Sequence, residues 1–574
     1  MQLHLHQTHH TIGDFNGVFD YIQDQAPIKS GLHLFPELFL TGYPLLDLCL
    51  QKGFIEKVLD LHKKLDTWAK QNLAKNDAML LMGGLDYKFD DQGLPADIYN
   101  VIWAVDGNGM KRVYAKKLLP NYDIFDEEKY FTPGEDPGLL EWNDKRIGLL
   151  ICEDMWHSTH HIQDPVKELW QSNPDLDLVV NLSASPYHLG KCEKRLARGR
   201  EISHLFKAPF AYVNRVGGED EILFDGDSFL TDGDGIIWRG KMWQEDSNTI
   251  ELDQVATKSY LPLNAPSTIA NTWESLFTPD LELASKPAQL STLSEEKLDE
   301  LTHALIFGLR EYASKCRFKS YLVAVSGGID SALVLALAKL AMLPDQTIEA
   351  VYMPGFYSAS ESYDFSAQLC DNLDVPMRHL PIKFTHSSLR NQFQDIFGQE
   401  LTGLSDENIQ SRLRGMLLYT RSNQNNAMVI NTSNKSELAV GYSTQYGDSV
   451  GAISLLGDLY KTEVFALSNH INRRFNHLIP SGIIDRPPSA ELREGQTDQQ
   501  SLPPYERLDA ILEGLLSYRM SVKELHNYGF DLEEVVKVHN LWQNSEYKRR
   551  QFCPIIKVKA KSFGFGYRVP ICKK

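Results

Sequence analysis

At 574 residues the chain is too long for one hydrophobic core, so two large domains are expected. Its net charge of −18 leaves no positive field for nucleic acid, and no apolar run reaches the length of a membrane span. Seven cysteines without a CxxC pair, behind a first stretch Met1–Gln7 that has neither a basic nor an apolar signal region, predict reduced thiols and a cytoplasmic location. Histidines group at His4, His6, His9 and His10 and again at His157, His160 and His161. The first group alternates like a strand, and neither has the spacing of zinc ligands with cysteine partners.

Residues 1–260 alternate between strand and helix patterns, as in an α/β domain. Strands are predicted at Leu32–Phe35, Met79–Gly83, Val101–Val105, Ile147–Ile151, Leu178–Asn181 and Phe210–Asn214. Asp106-Gly-Asn-Gly109 signals a hairpin, and Phe54–Leu73 an amphipathic helix. Three polar residues fall just past strand ends: Glu37 in Leu34-Phe-Pro-Glu-Leu-Phe-Leu-Thr-Gly-Tyr43, Lys116 in Tyr114-Ala-Lys-Lys-Leu-Leu-Pro120, and Cys152 in Gly148-Leu-Leu-Ile-Cys-Glu-Asp154. Singly, each fits an ordinary core cysteine or a solvated charge.

Together, in this order and in these flanks, they resemble the Glu-Lys-Cys triad of the nitrilase (carbon–nitrogen hydrolase) superfamily. The chemistry needs those types. A Cys152 thiolate, favoured by the Lys116 ammonium, attacks an amide carbonyl. Glu37 takes the thiol proton and later activates water, and Lys116 stabilises the tetrahedral oxyanion. Leu119–Phe131 and Ser183–Lys191 are similar to the glutamine-using branch, which implies that Tyr122, Ser185, Lys191 and Glu127 serve glutamine. Arg215 and Glu219, in Asn214-Arg-Val-Gly-Gly-Glu-Asp-Glu221, stand where neutral residues are expected.

Residues 261–293 read as a linker punctuated by Pro262, Pro266, Pro279 and Pro287. Thr292-Leu-Ser-Glu295 predicts a capping-box start for a helix running to Lys315. Next comes Tyr321-Leu-Val-Ala-Val-Ser-Gly-Gly-Ile-Asp-Ser331: a buried strand, a glycine turn and the start of an apolar helix. Such a turn aims backbone N–H groups and a positive dipole end at phosphate, with Ser326 and Ser331 adding hydroxyls and Asp330 placed for Mg²⁺. No Walker A sequence is present. Ser326-Gly-Gly-Ile-Asp-Ser331 resembles the PP-loop of ATP pyrophosphatases.

Strands at Ile348–Pro354 and Val375–Pro381, with a helix over Ser360–Leu373, predict a doubly wound parallel sheet. Arg412 and Arg414 are read as opening a further helix, and Thr432 to Glu437 as facing the nucleotide from a strand end. The blocks Glu407–Arg414, Met428–Glu437, Leu456–Thr462, Pro487–Asp498, Leu502–Tyr505 and Glu546–Gln551 resemble NAD⁺ synthetases of the glutamine-dependent class. That resemblance implies ATP contacts from Ala324, Val325, Ser326, Gly327, Gly328, Ile329, Asp330, Ser331, Thr432, Lys461 and Ser489. It implies deamido-NAD contacts from Asn408, Arg412, Glu437 and Lys548; by its position, Glu437 can share Mg²⁺ with Asp330 or bind a ribose. Asn431 and Ser433 replace glycines usual in that class, and a proline usual before Leu456-Gly457 is missing.

The expected fold is a nitrilase-like α-β-β-α sandwich over residues 1–260 joined by the linker to a doubly wound PP-loop domain over 294–574. The expected reaction amidates nicotinic acid adenine dinucleotide with ATP and L-glutamine, giving NAD⁺, AMP, diphosphate and glutamate. A homo-oligomer is expected, with no nucleic-acid or membrane partner. The alternatives are the same chemistry on nicotinic acid mononucleotide, and an amidase carrying a nucleotide-binding regulatory domain.

Overall fold

The computed structural model describes residues 1–25, 29–74, 77–156, 162–255, 281–282 and 289–573. His157, His160, His161 and the prolines Pro262, Pro266, Pro279 and Pro287 lie outside the described residues. The chain forms two compact units, Met1–Ser275 and Leu276–Lys574. No helix among the described residues is long and apolar enough to cross a membrane.

The first unit contains two six-stranded sheets. One runs in the order Asp246–Glu251, Gln2–Gln7, Gly31–Leu34, Ala78–Phe89, Pro95–Asp106, Gly109–Ala115. The other runs Ile236–Arg239, Phe229–Thr231, Phe210–Asn214, Leu178–Ser183, Lys145–Ile151, Leu139–Trp142. Period-2 alternation explains how they pack. Leu3, Leu5, Leu32, Leu34 and Leu81 meet Ile147, Leu149, Ile151, Leu178 and Val180 in one core. The residues between them, such as Leu150 and Val179, face outwards onto Ile202 and Phe206 of helix Lys191–Phe206. Leu80 and Met82 likewise face Leu61 and Leu65 of helix Lys52–Asn72. Helices therefore cover both outer faces, which makes an α-β-β-α sandwich. The hairpin at Asp106–Gly109 forms as predicted, pairing Asp106 with Gly109. The first histidine group is part strand: His4 and His6 lie on Gln2–Gln7, and His6 Nε2 is 3.0 Å from His33 Nδ1.

The second unit holds a five-stranded parallel sheet in the order Met377–His379, Thr347–Tyr352, Ser320–Val325, Met428–Asn431, Ile453–Ser454. Chain order reverses between Ser320–Val325 and Met428–Asn431, so the crevice beyond their carboxyl ends is the topological switch point. Helix Ile329–Ala341 is buried on nearly every side, between the sheet and the helices Glu295–Lys315 and Lys461–Arg474. A separate helical core gathers Leu508, Ile511, Leu512, Leu525, Val535, Val538 and Trp542 against Leu438 and Ala439.

Three expectations are corrected. The helix cap is Ser294, whose hydroxyl accepts from Lys297 N–H, not Thr292, because the helix starts only at Glu295. The third strand shortens to Met377–His379, where it is a sheet edge flanked by Pro376 and Pro381. Arg412 and Arg414 do not open a helix. They sit midway along Leu404–Asn425, so successive turns send them to different surroundings.

Candidate active sites

Glu37 lies on the loop after Gly31–Leu34, Lys116 directly after Gly109–Ala115, and Cys152 on a 3-10 turn after Lys145–Ile151. Lys116 and Cys152 thus come from different sheets. Cys152 has φ +43°, a left-handed conformation that side chains other than glycine adopt only under constraint. Asn181 supplies the constraint from the neighbouring strand: its Oδ1 accepts from Cys152 N–H at 2.7 Å and its Nδ2 donates to the Cys152 carbonyl at 3.2 Å. Asp154 fastens the two sheets at this point. It accepts from Ile151 N–H (3.0 Å), Leu118 N–H (2.8 Å), Lys117 N–H (3.1 Å) and the Tyr114 hydroxyl (2.9 Å). Sequence reading passed over Asn181 and Asp154; the second left a trace, a carboxylate two places after the cysteine in a run that becomes wholly buried.

Lys116 is 1% exposed and lies between two carboxylates, 2.7 Å from Glu37 Oε1 and 2.9 Å from Glu127 Oε1. Glu37 also accepts from Asn100 Nδ2 and Ala184 N–H, each at 2.7 Å. The Tyr43 hydroxyl donates to Glu127 Oε1 at 2.9 Å. Burial opposes the Lys116 charge, yet Glu127 and Glu37 outweigh it and hold the ammonium well above its ordinary range. Burial pushes Glu127 up to about 7 against the pull of Lys116. Lys116 does pull the Cys152 thiol towards the thiolate, as expected, but burial and the Glu37 charge outweigh it and hold the thiol well above its usual value.

Tyr122, Ser185 and Lys191 line one recess with Cys152, together with Phe125, Glu153 and Trp156. Glu127 is not in its wall but behind Lys116. Tyr122 donates to Glu153 Oε1 at 2.9 Å. Burial, then the neighbouring Arg195, lowers Lys191 to about 8. Arg195 is 0% exposed, pairs with Asp225 at 2.7 Å, and donates to the carbonyls of Ser185 and Pro186. It thereby fixes the loop that carries Ser185. Arg215 and Glu219, the departures from neutrality, pair with each other at 2.7 Å, both buried. Arg215 also donates to the carbonyls of Tyr43 and His10. Cys192, Asp225 and Asp227 are close enough to share an ion, but Arg195 and Arg239 already neutralise the two carboxylates.

In the second unit a cavity of about 230 Å³ opens at the switch point. Ala324, Val325, Ser326, Ser331, Thr432 and Ser489 line it. Gly327 and Gly328 form the turn, but only Gly327 requires glycine. It has φ +76°, and a Cβ there would come within 2.6 Å of the Ser362 carbonyl oxygen. The helix begins at Ile329, so its first N–H groups have no intrahelical acceptor. Ser331 Oγ accepts from Ser326 N–H at 3.2 Å and donates to the Gly328 carbonyl at 3.1 Å, so these hydroxyls also brace the loop.

Lys461 Nζ lies 2.5 Å from Asp330 Oδ2 and 3.3 Å from Glu437 Oε1, beside the cavity rather than in its wall. Asn434 Nδ2 donates to Asp330 Oδ1 at 2.9 Å. Burial, opposed by Lys461 and reinforced by Asp330 and Asp498, lifts Glu437 to about 8. Three carboxylates around one ammonium leave surplus negative charge and hard oxygen donors, a set that fits a magnesium ion.

Asn408, Arg412 and Lys548 converge on one loop. Asn408 Oδ1 accepts from Thr444 Oγ1 (2.7 Å), Arg412 Nε donates to the Gln445 carbonyl (3.2 Å), and Lys548 Nζ donates to the carbonyls of Gly441 (2.7 Å) and Ser443 (2.6 Å). Arg414, two residues from the exposed Arg412, is the arginine that lines the cavity. Its Nε donates to the Met353 carbonyl at 2.9 Å. Asn431 has a local reason to replace glycine. Its Nδ2 donates to the carbonyls of Asp448 and Val450, and its Oδ1 accepts from Ser433 N–H and Ser454 Oγ.

Residues 14–260 match the carbon-nitrogen hydrolase family and residues 301–552 the NAD synthase family. A glutamine-dependent NAD(+) synthetase of Synechocystis sp. is 36% identical, over 95% of this chain and 93% of the relative. One of Thermotoga maritima is 34% identical, over 100% and 99%. The structure of a glutamine-dependent NAD⁺ synthetase from Acinetobacter baumannii, in complex with adenosine diphosphate, is similar with a TM-score of 0.69 at 29% identity, covering 99% of this chain and 98% of that one. With both families matched in this order and more than a third of its residues shared with a relative along nearly its whole length, the chain belongs to the glutamine-dependent NAD(+) synthetases.

Proposed function

We propose that the chain amidates nicotinic acid adenine dinucleotide to NAD⁺, consuming ATP and L-glutamine and releasing AMP, diphosphate and glutamate. The observation that carries this reading is the presence, in one chain, of a buried Glu37–Lys116–Cys152 constellation beside a recess and a phosphate-type loop at the edge of a cavity at the topological switch point.

Glutamine enters the recess with its carboxylate towards Lys191 and Ser185 and its amide at Cys152. Because the resting thiol is held neutral, attack requires a base at the moment of reaction, and Glu37 takes the proton as sulfur bonds to the carbonyl carbon. Lys116 stabilises the oxyanion, and as the adduct collapses Glu37 returns the proton to the amide nitrogen, which leaves as ammonia. Water activated by Glu37 then releases glutamate.

At the second site the nicotinate carboxylate attacks the α-phosphorus of ATP. The N–H groups at the start of helix Ile329–Ala341 hold the departing diphosphate. Asp330 and Glu437 are the residues that would hold magnesium, which when bound neutralises phosphate charge. Ammonia attacks the acyl carbon and AMP departs.

The test is NAD⁺ formation from the dinucleotide, MgATP and either glutamine or ammonium, with Cys152→Ala beside the native protein. Activity of the native protein with both donors, and of the variant with ammonium alone, supports the reading. A variant that still uses glutamine overturns the assignment of Cys152. Product from nicotinic acid mononucleotide alone overturns the dinucleotide, and glutamine hydrolysis without diphosphate release overturns the ligase.

A further inference from the structure

Helix Tyr505–Leu516 presents an apolar face to the helical core, and within it Asp509 is 0% exposed. Its neighbours Leu508, Ala510, Ile511 and Leu512 are also 0% exposed. A carboxylate in such surroundings is costly unless its oxygens are satisfied. Both are satisfied, and by two other helices. Asp509 Oδ1 accepts from Ser436 Oγ at 2.5 Å, and Oδ2 accepts from Thr462 N–H at 2.9 Å. Ser436 Oγ in turn accepts from Lys461 N–H at 2.9 Å.

These partners sit next to the charged groups of the second site. Ser436 precedes Glu437 in the first turn of Lys435–Val440, and Thr462 follows Lys461 in the first turn of Lys461–Arg474. One helix thus offers the carboxylate a side-chain hydroxyl and the other a backbone N–H from its first turn. Burial pushes Asp509 up to about 7, Ser436 and Thr462 pull it down, and Glu463 adds to the rise. An apolar side chain would fill the same space without that cost, so packing alone does not account for an aspartate there.

We propose that Asp509 is a positioning residue for the synthetase site. Its carboxylate holds the first turns of Lys435–Val440 and Lys461–Arg474 in register, so that the Lys461 ammonium spans Asp330 and Glu437. The inference rests on the reading of this site as the place where ATP reacts. Asp509 reaches no substrate itself. It acts through Ser436 and through the backbone of Lys461 and Thr462.

The experiment uses full-length protein carrying Asp509→Asn and, separately, Ser436→Ala, which removes the hydroxyl that joins Asp509 Oδ1 to Lys461 N–H but leaves the Thr462 N–H bond to Oδ2 in place. Asparagine keeps the shape but cannot accept at both oxygens. Ammonium-supported diphosphate release is measured beside glutamine hydrolysis, thermal unfolding and acylation of Lys461 by acetic anhydride, read by peptide mass spectrometry. The expected result is a fall in synthetase kcat on the order of 10²-fold for Asp509→Asn, as for a misplacement of about 1 Å, and a smaller fall for Ser436→Ala. KM for ATP changes little, glutamine hydrolysis is unaltered, and Lys461 is acylated several-fold faster in both variants.

Native kcat and native Lys461 reactivity in both variants overturn the proposal. So does a loss of kcat that merely follows the fraction of unfolded protein, with Lys461 reactivity unchanged in the folded remainder. If the native chain releases no diphosphate, it is the proposed reaction that fails. Lys461 acylation then decides the clamp alone, faster in the variants if it exists and unchanged if it does not.

Discussion

Asn181 grips Cys152 on both sides of its α-carbon, accepting from the N–H and donating to the carbonyl of the same residue. This is the geometry of a strand pair compressed into one side chain, and it holds the cysteine at φ +43°. Replacing Asn181 with alanine leaves a buried N–H without an acceptor. The expected cost is about 1–3 kcal/mol of stability, with a loss of glutamine hydrolysis on the order of 10²-fold, because the sulfur swings as φ relaxes. Denaturant unfolding and hydrolysis rates check the two effects, while ammonium-supported synthesis keeps its native rate.

Arg215 and Glu219 form a coupled pair. Arg215→Met alone strands a buried carboxylate, for an expected loss of about 3–5 kcal/mol. Adding Glu219→Gln removes the stranded charge and recovers part of that loss, since the carbonyls of Tyr43 and His10 still lack the Arg215 donor. A double-mutant cycle on unfolding midpoints measures the coupling; additive single effects would show that the pair is not a unit.

Lys191 sets an alkaline limit on glutamine use. Burial and Arg195 lower it to about 8, so in the free enzyme the ammonium is lost as pH rises through that value and the glutamine carboxylate loses its partner. The kcat/KM for glutamine is therefore expected to fall above about pH 8, chiefly through KM, and Lys191→Met to abolish that limb. The sign for stability is opposite. Between about 8 and the ordinary value of 10.5 the unfolded chain binds the extra proton, so this group's contribution to stability increases with pH across that window.

Glu437 makes cation binding proton-linked. Held near 8 by burial, opposed by Lys461 and reinforced by Asp330, it is largely protonated at neutral pH. Loading of MgATP is expected to release a proton at pH 7, seen by calorimetry as a heat that varies with the ionisation enthalpy of the buffer. Glu437→Gln removes that dependence. For folding, a carboxyl raised above its ordinary 4.5 disfavours the folded state as pH climbs from that value to about 8.

What the sequence revealed follows from where information is local. The apolar runs at Ile147–Ile151 and Tyr321–Val325 announce buried strands, and the polar residue that ends each such run lies at the sheet edge where ligands bind. Glu37, Lys116, Cys152 and the Ser326–Ser331 loop were legible for that reason. Asn181 and Asp509 were not, since their partners lie on other elements and neither spacing nor flank marks them; Asp154 left only its place two residues after the cysteine. Arg414 was missed for a different reason: on a helix, two residues along means the other side, and Arg412 drew the attention that the half-buried, cavity-lining neighbour warranted.

The Lys461–Asp330 contact closes across 131 positions of sequence. During synthesis the phosphate loop is therefore made long before the lysine that completes its charge. Asp330 and Glu437, already near one another by the parallel pairing of their strands, have no shared cation until Lys461 arrives. Assembly of this charged cluster thus waits for the last strand and the helix after it to dock, so a chain cut before Lys461 holds the phosphate loop without the cation that spans its two carboxylates.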